Sequence, residues 1–109
     1  MLITLTKGNW EIEVNQSNIP VIVDFWAVWC HPCHMMEPVF DELSVEYAGK
    51  IKFGKLNIEE FPEYPQSFQV MGIPALIMIK DGKEIGRIVG FNPKDKLKAK
   101  IEEILKNLE

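Results

Sequence analysis

Cys30 and Cys33 are the only cysteines among 109 residues, and they stand two residues apart with Pro32 at the second intervening position. Two sulfurs at that spacing can close into a disulfide and reopen to a dithiol, which is the chemistry of thiol–disulfide exchange. The attacking species in that exchange is a thiolate. Directly upstream, Val21-Ile22-Val23-Asp24-Phe25-Trp26 reads as a buried strand, and proline is tolerated in the first turn of a helix, where no backbone donor is needed. The pair therefore falls where a strand gives way to a helix. Unpaired backbone N–H groups and the positive end of the helix dipole favour Cys30 as a thiolate at such a junction. Cys30 is thus the expected nucleophile, exposed and readily ionised. Cys33, one turn later and more buried, is the thiol that resolves the mixed disulfide.

Resolution needs a proton acceptor, and Asp24 is the candidate. Burial in the middle of a strand disfavours its charged form and raises its pKa towards the range useful to a general base near neutrality. Lys55 is the expected partner of Asp24, its attraction opposing part of that shift. His31, between the cysteines, would as a cation stabilise the Cys30 thiolate, and a stabilised reduced form makes the disulfide more oxidising. His31 and Pro32 are therefore the residues expected to tune the couple, and His31 leaves an isomerase- or oxidase-leaning variant open beside a reductase.

Other chemistries fit the same residues less well. Cys30-His31-Pro32-Cys33-His34 matches the C-x-x-C-H pattern of covalent haem attachment, but nothing in the sequence directs export to where that attachment occurs. Two thiols and two imidazoles suit a tetrahedral metal site, yet a helix beginning at Pro32 turns His31 and His34 in competing directions, so no metal is expected. A scaffolding module with an incidental dithiol is disfavoured by the presence of both cysteines.

The elements that position these residues follow from patterning. Leu2–Leu5 is β-prone, and a short helix over Asn9–Asn15 sets Trp10 and Val14 four residues apart. After the strand 21–26, Met36, Val39, Phe40, Leu43 and Tyr47 recur at helical spacing until Gly49 stops the helix, with Pro38 expected to kink it. Ile51–Asn57 is the next strand, with Ile51, Phe53 and Lys55 on one face. Strand, helix and strand from 21 to 57 form a βαβ unit with parallel strands. Pro62 and Pro65 break Glu59–Val70 into a short irregular helix. Ala75–Ile79 and Glu84–Val89 flank Asp81-Gly82, a strong hairpin signal. Leu97, Ile101, Ile104, Leu105 and Leu108 make the apolar stripe of a last helix starting near Pro93. This order describes one α/β domain, residues 1–109, with a mixed sheet.

Composition narrows the function. A hydrophobic content of 47% supports a real core for one domain. The net charge of −4, with mixed signs, argues against nucleic acid as a partner. No signal peptide and no apolar run near ~18 residues is evident, so no membrane association and a cytoplasmic location are expected. In that reducing compartment a lone close pair is catalytic sooner than structural.

With the elements placed, the chain resembles the thioredoxin family from about Ile19 to the last helix. The match runs through Val23-Asp24-Phe25-Trp26-Ala27, Trp29-Cys30-x-Pro32-Cys33, Pro38, Lys55-Leu56-Asn57-Ile58, Gly72-Ile73-Pro74 and Gly90. His31 stands where the family has glycine, and His34 where it has lysine. The resemblance implies a thioredoxin fold: a five-stranded mixed sheet in the order 1-3-2-4-5, flanked by four helices, with a cis Ile73–Pro74 bond. It implies a protein-disulfide reductase in which Asp24 serves Cys33 through a water. Trp29, Gly72, Ile73, Pro74 and Gly90, with Trp26, would form the surface receiving an extended substrate segment. Disulfide-containing proteins would be the substrates and a thioredoxin-reductase-type flavoprotein, or glutathione, the electron donor. No organic cofactor is expected, and the protein should act as a monomer.

Overall fold

The computed structural model describes residues 2–108. Its centre is β2 (Val21–Trp26), buried along almost its whole length because both faces of the sheet are covered. On one side β2 pairs in parallel with β3 (Lys52–Asn57), which pairs in parallel with β1 (Leu2–Thr4). On the other side it pairs antiparallel with β4 (Ala75–Lys80), and β4 with β5 (Lys83–Val89). The strand order is β1-β3-β2-β4-β5, as the resemblance implied.

Alternation along β2 divides the core in two. Ile22 faces α1 (His31–Glu46) and α3 (Lys94–Lys106), meeting Met36, Phe40, Leu43, Leu97 and Ile101. Val21, Val23 and Phe25 face the opposite layer with Leu5, Trp10, Val14 and Leu56. There Tyr64 of α2 (Glu63–Ser67) stacks on Trp10 with ring centroids 4.4 Å apart. Asp24 and Trp26, two and four residues beyond Ile22, are consequently on the α1 face.

Several expectations change in detail. The first helical segment is a π-helical turn over Glu11–Asn15, with Trp10 as its cap, so that both Trp10 and Val14 are buried. The irregular helix within 59–70 contracts to the five residues of α2, between Pro62 at its cap and a turn at Phe68. Leu108 lies beyond the end of α3 and is 44% exposed, so the apolar stripe ends at Leu105. The hairpin turn is as expected: Asp81 and Gly82 both have positive φ, 54° and 77°, as a two-residue turn of primed type requires. Pro38 cannot donate the backbone bond to residue 34, yet α1 runs unbroken through it.

Candidate active site

The antiparallel register sets Ala75 beside both Phe25 and Val89, so three connections emerge together at one end of the sheet. They are residues 27–30 after β2, residues 71–74 before β4, and residues 90–92 after β5. The cysteines sit at that end. Cys30 is extended (φ −92°, ψ 103°) and caps α1: its sulfur accepts the Cys33 backbone N–H at 3.3 Å. Its carbonyl accepts the His34 N–H and its own N–H donates to the Ala27 carbonyl. Cys30 and Cys33 are joined in a disulfide with Cα atoms 5.3 Å apart. The same capping geometry offers a backbone donor and the helix dipole to a thiolate on Cys30 once the bond is reduced.

Cys30 is more covered than expected. It is 5% exposed against 2% for Cys33, because Ala27, Ile73 and Trp26 close around the pair. The order of burial is the expected one, but the nucleophile is itself buried in the disulfide form. His31, Pro32 and His34 are exposed around it. His34 is not free to turn: its Nε2–H donates to the Val28 carbonyl at 2.6 Å, and its ring meets the edge of Trp26. Among the described residues no group of three or more His, Cys, Asp or Glu is placed to hold a metal ion.

Asp24 is 3% exposed, and its Oδ1 has no hydrogen-bond partner. Burial pushes its carboxyl from an ordinary 3.8 up to about 7, the nearby Glu37 carboxylate adding to the rise and the Lys55 ammonium opposing it. Lys55 is the Cα neighbour of Asp24 in the β2–β3 ladder, but its ammonium is not bonded to Asp24. It is instead paired with Glu37 of α1 at 2.6 Å and lies 5.3 Å from the Trp26 ring centroid. The expected Asp24–Lys55 pair is therefore corrected to a Glu37–Lys55 pair. Sequence reasoning passed over Glu37, although it stands four residues after Cys33 and so on the same helix face.

Opposite the cysteines, the Ile73–Pro74 bond is cis, and the Pro74 carbonyl accepts the Gly90 N–H at 2.8 Å. Gly90 has φ 88°, the left-handed region where glycine is unstrained. Ile73 is half-buried against the disulfide, and a Cβ added at Gly72 would meet Val89 only at an ordinary 3.7 Å. Trp29 is 67% exposed and Met71 is 96% exposed, giving this end of the sheet an apolar surface that includes Val28 and Phe91.

The sequence model of the thioredoxin family matches residues 1–103. The chain belongs to the thioredoxin family. A thioredoxin of Alicyclobacillus acidocaldarius subsp. acidocaldarius is 42% identical over 102 residues, covering 94% of this chain and 96% of its own. One of Mycobacterium tuberculosis (strain ATCC 25618 / H37Rv) is 42% identical over 106 residues, with 97% and 91% covered. One of Staphylococcus saprophyticus is also 42% identical, over 104 residues, with 95% and 98% covered. Thioredoxins are protein-disulfide oxidoreductases, and membership together with the bonded Cys30–Cys33 pair makes this chain a thiol–disulfide oxidoreductase. No helix among the described residues is long and apolar enough to cross a membrane.

Proposed function

We propose that this chain acts as a one-domain monomer, without bound cofactor or metal, reducing disulfides of cytoplasmic proteins with electrons from a thioredoxin-reductase-type flavoprotein. The Cys30 thiolate attacks one sulfur of the substrate disulfide, and that bond breaks as a mixed disulfide forms. The displaced substrate thiolate takes a proton from solvent. Cys33 then gives its proton to Asp24 through a water and attacks the Cys30 sulfur; the mixed disulfide breaks as the Cys30–Cys33 bond closes, and the second substrate sulfur leaves as a thiolate that takes its proton from solvent. Two electrons pass from the dithiol to the substrate. Trp29, Gly72, Ile73, Pro74 and Gly90 form the docking surface, with the Ile73 backbone bonding an extended substrate segment. The observation that carries the reading is the Cys30 sulfur serving as the cap of α1 while bonded to Cys33.

Insulin reduction with dithiothreitol as electron source tests it. Wild type should precipitate insulin, Cys30→Ser should run at the uncatalysed rate, and Cys33→Ser should accumulate a mixed disulfide with substrate through Cys30. Catalysis by Cys30→Ser at the wild-type rate would overturn the assignment.

His31 tunes the couple in this reading. It is the first residue of α1, exposed and next to Cys30, where an imidazolium favours the thiolate over the disulfide. The reduction potential should therefore lie above the reference of roughly −270 mV for thioredoxin, and His31→Gly should lower it. Equilibration against a redox couple of known potential measures both. An unchanged potential in His31→Gly would remove the role.

A further inference from the structure

Asp24 is the one side chain of the site whose buried polar oxygen, Oδ1, has no hydrogen-bond partner, although a lysine stands beside it on the neighbouring strand. The reason is on α1. Glu37, one turn after Cys33, holds the Lys55 ammonium at 2.6 Å, and that ammonium also lies over the Trp26 ring, 5.3 Å from its centroid. Lys55 and Glu37 keep 26% and 45% side-chain exposure, whereas Asp24 beneath them is sealed. An ammonium that has both a carboxylate and an aromatic face gains little by turning inward, where it would lose water and both contacts.

We propose that Glu37 is a positioning residue for the resolving step: by tethering Lys55 it keeps Asp24 unpaired, and so a carrier of the Cys33 proton rather than half of a fixed ion pair. The proposal rests on Asp24 serving Cys33, but it concerns only what holds Lys55 away. The charged groups that act on Asp24 are Glu37 on α1 and Lys55 on β3, while its partner on β4 is the apolar Leu76. Asp41 lines the same surface groove as Glu37 and Lys55, and His34 is held by the Val28 carbonyl.

The test is an NMR titration of the Asp24 carboxyl carbon in the oxidised protein, in which neither cysteine titrates. Glu37→Gln removes a carboxylate and frees Lys55, so the Asp24 midpoint should fall by about 1 pH unit. Lys55→Met should raise it. With Lys55→Met already in place, Glu37→Gln should lower the midpoint by less than half as much, since only its direct repulsion is then lost. An unmoved midpoint in Glu37→Gln, or equal shifts in the two backgrounds, would overturn the tether. Insulin reduction by Asp24→Asn separately tests whether Asp24 serves Cys33: wild-type kinetics there would sink that role and leave the tether to be judged by the titration alone.

Discussion

A carboxyl group that reaches a midpoint of about 7 inside the sheet carries a cost that is readable in stability. Between about pH 4 and pH 7 the native state holds a proton on Asp24 that the unfolded chain has given up. Stability from this group is therefore full below its unfolded midpoint, falls as pH rises through that window, and is level above it. The rise from 3.8 to about 7 corresponds to roughly 4 kcal/mol at alkaline pH. Asp24→Asn, which keeps the shape and cannot ionise, should thus be more stable than wild type by a few kcal/mol at pH 8 and by far less at pH 4. Urea unfolding of the two oxidised proteins at both pH values checks this, and other carboxylates cancel in the difference. A gap independent of pH would mean that Asp24 ionises in the fold as easily as in the unfolded chain. Sulfur spacing, the buried acid and the proline before β4 were all legible in the sequence, since each is marked by residue type. Glu37 was not: its meaning depends on which turn of α1 crosses which rung of the β2–β3 ladder, and one chain read linearly does not contain that crossing.

Among the elements, legibility followed how much of a segment's conformation its own residues decide. The run 21–26 is apolar enough that only a strand covered on both faces satisfies it, and β2 has those bounds. Asp81-Gly82 fixes its turn through backbone chemistry, because two successive positive φ values are cheap for those residues. The weaker segments were decided from outside. Trp10 and Val14 must both reach the layer that holds Phe25 and Leu56, and the chain does so with a wider π turn. At α2 the capping Pro62 and the internal Pro65 limit the donors available, and Tyr64 and the following Phe68 are placed by rings they meet across the core, Trp10 and Phe25. At the end of α3 the periodic pattern continues to Leu108, but the helix ends at Lys106 and burial does not follow the pattern: Leu97 and Ile101 are buried, Leu108 is not. The site was easier to read than these segments because it lies on β2, the start of α1 and the start of β4, where sequence and fold agree.

At the scale of the molecule, ion pairs join α1 to α3 while exposed apolar side chains gather at the disulfide end, with Ile12 and Val45 exposed elsewhere. Lys94 pairs with Glu42 and Glu46, and Lys98 with Glu46, tying α3 to α1 across the face that Phe40 and Leu97 fill from within. The end of the sheet that bears the disulfide shows instead Val28, Trp29, Met71 and Phe91. A net charge of −4 would repel acidic substrates if long-range electrostatics governed encounter, and added salt would then speed reduction markedly. If docking rests on the apolar end, the main driving force is the removal of apolar surface from water, which moderate salt hardly changes. The kcat/KM for a disulfide-bonded protein substrate should then vary less than about twofold between roughly 50 and 300 mM salt. Trp29→Ala and Met71→Ala should each lower it by roughly five- to thirty-fold, the equivalent of about 1–2 kcal/mol of lost apolar contact in the transition state. Substrates that differ in net charge but share the same local disulfide sequence should be reduced at similar rates. A steep salt dependence with little effect of either substitution would place recognition on the charged faces, away from the end where the sulfurs lie.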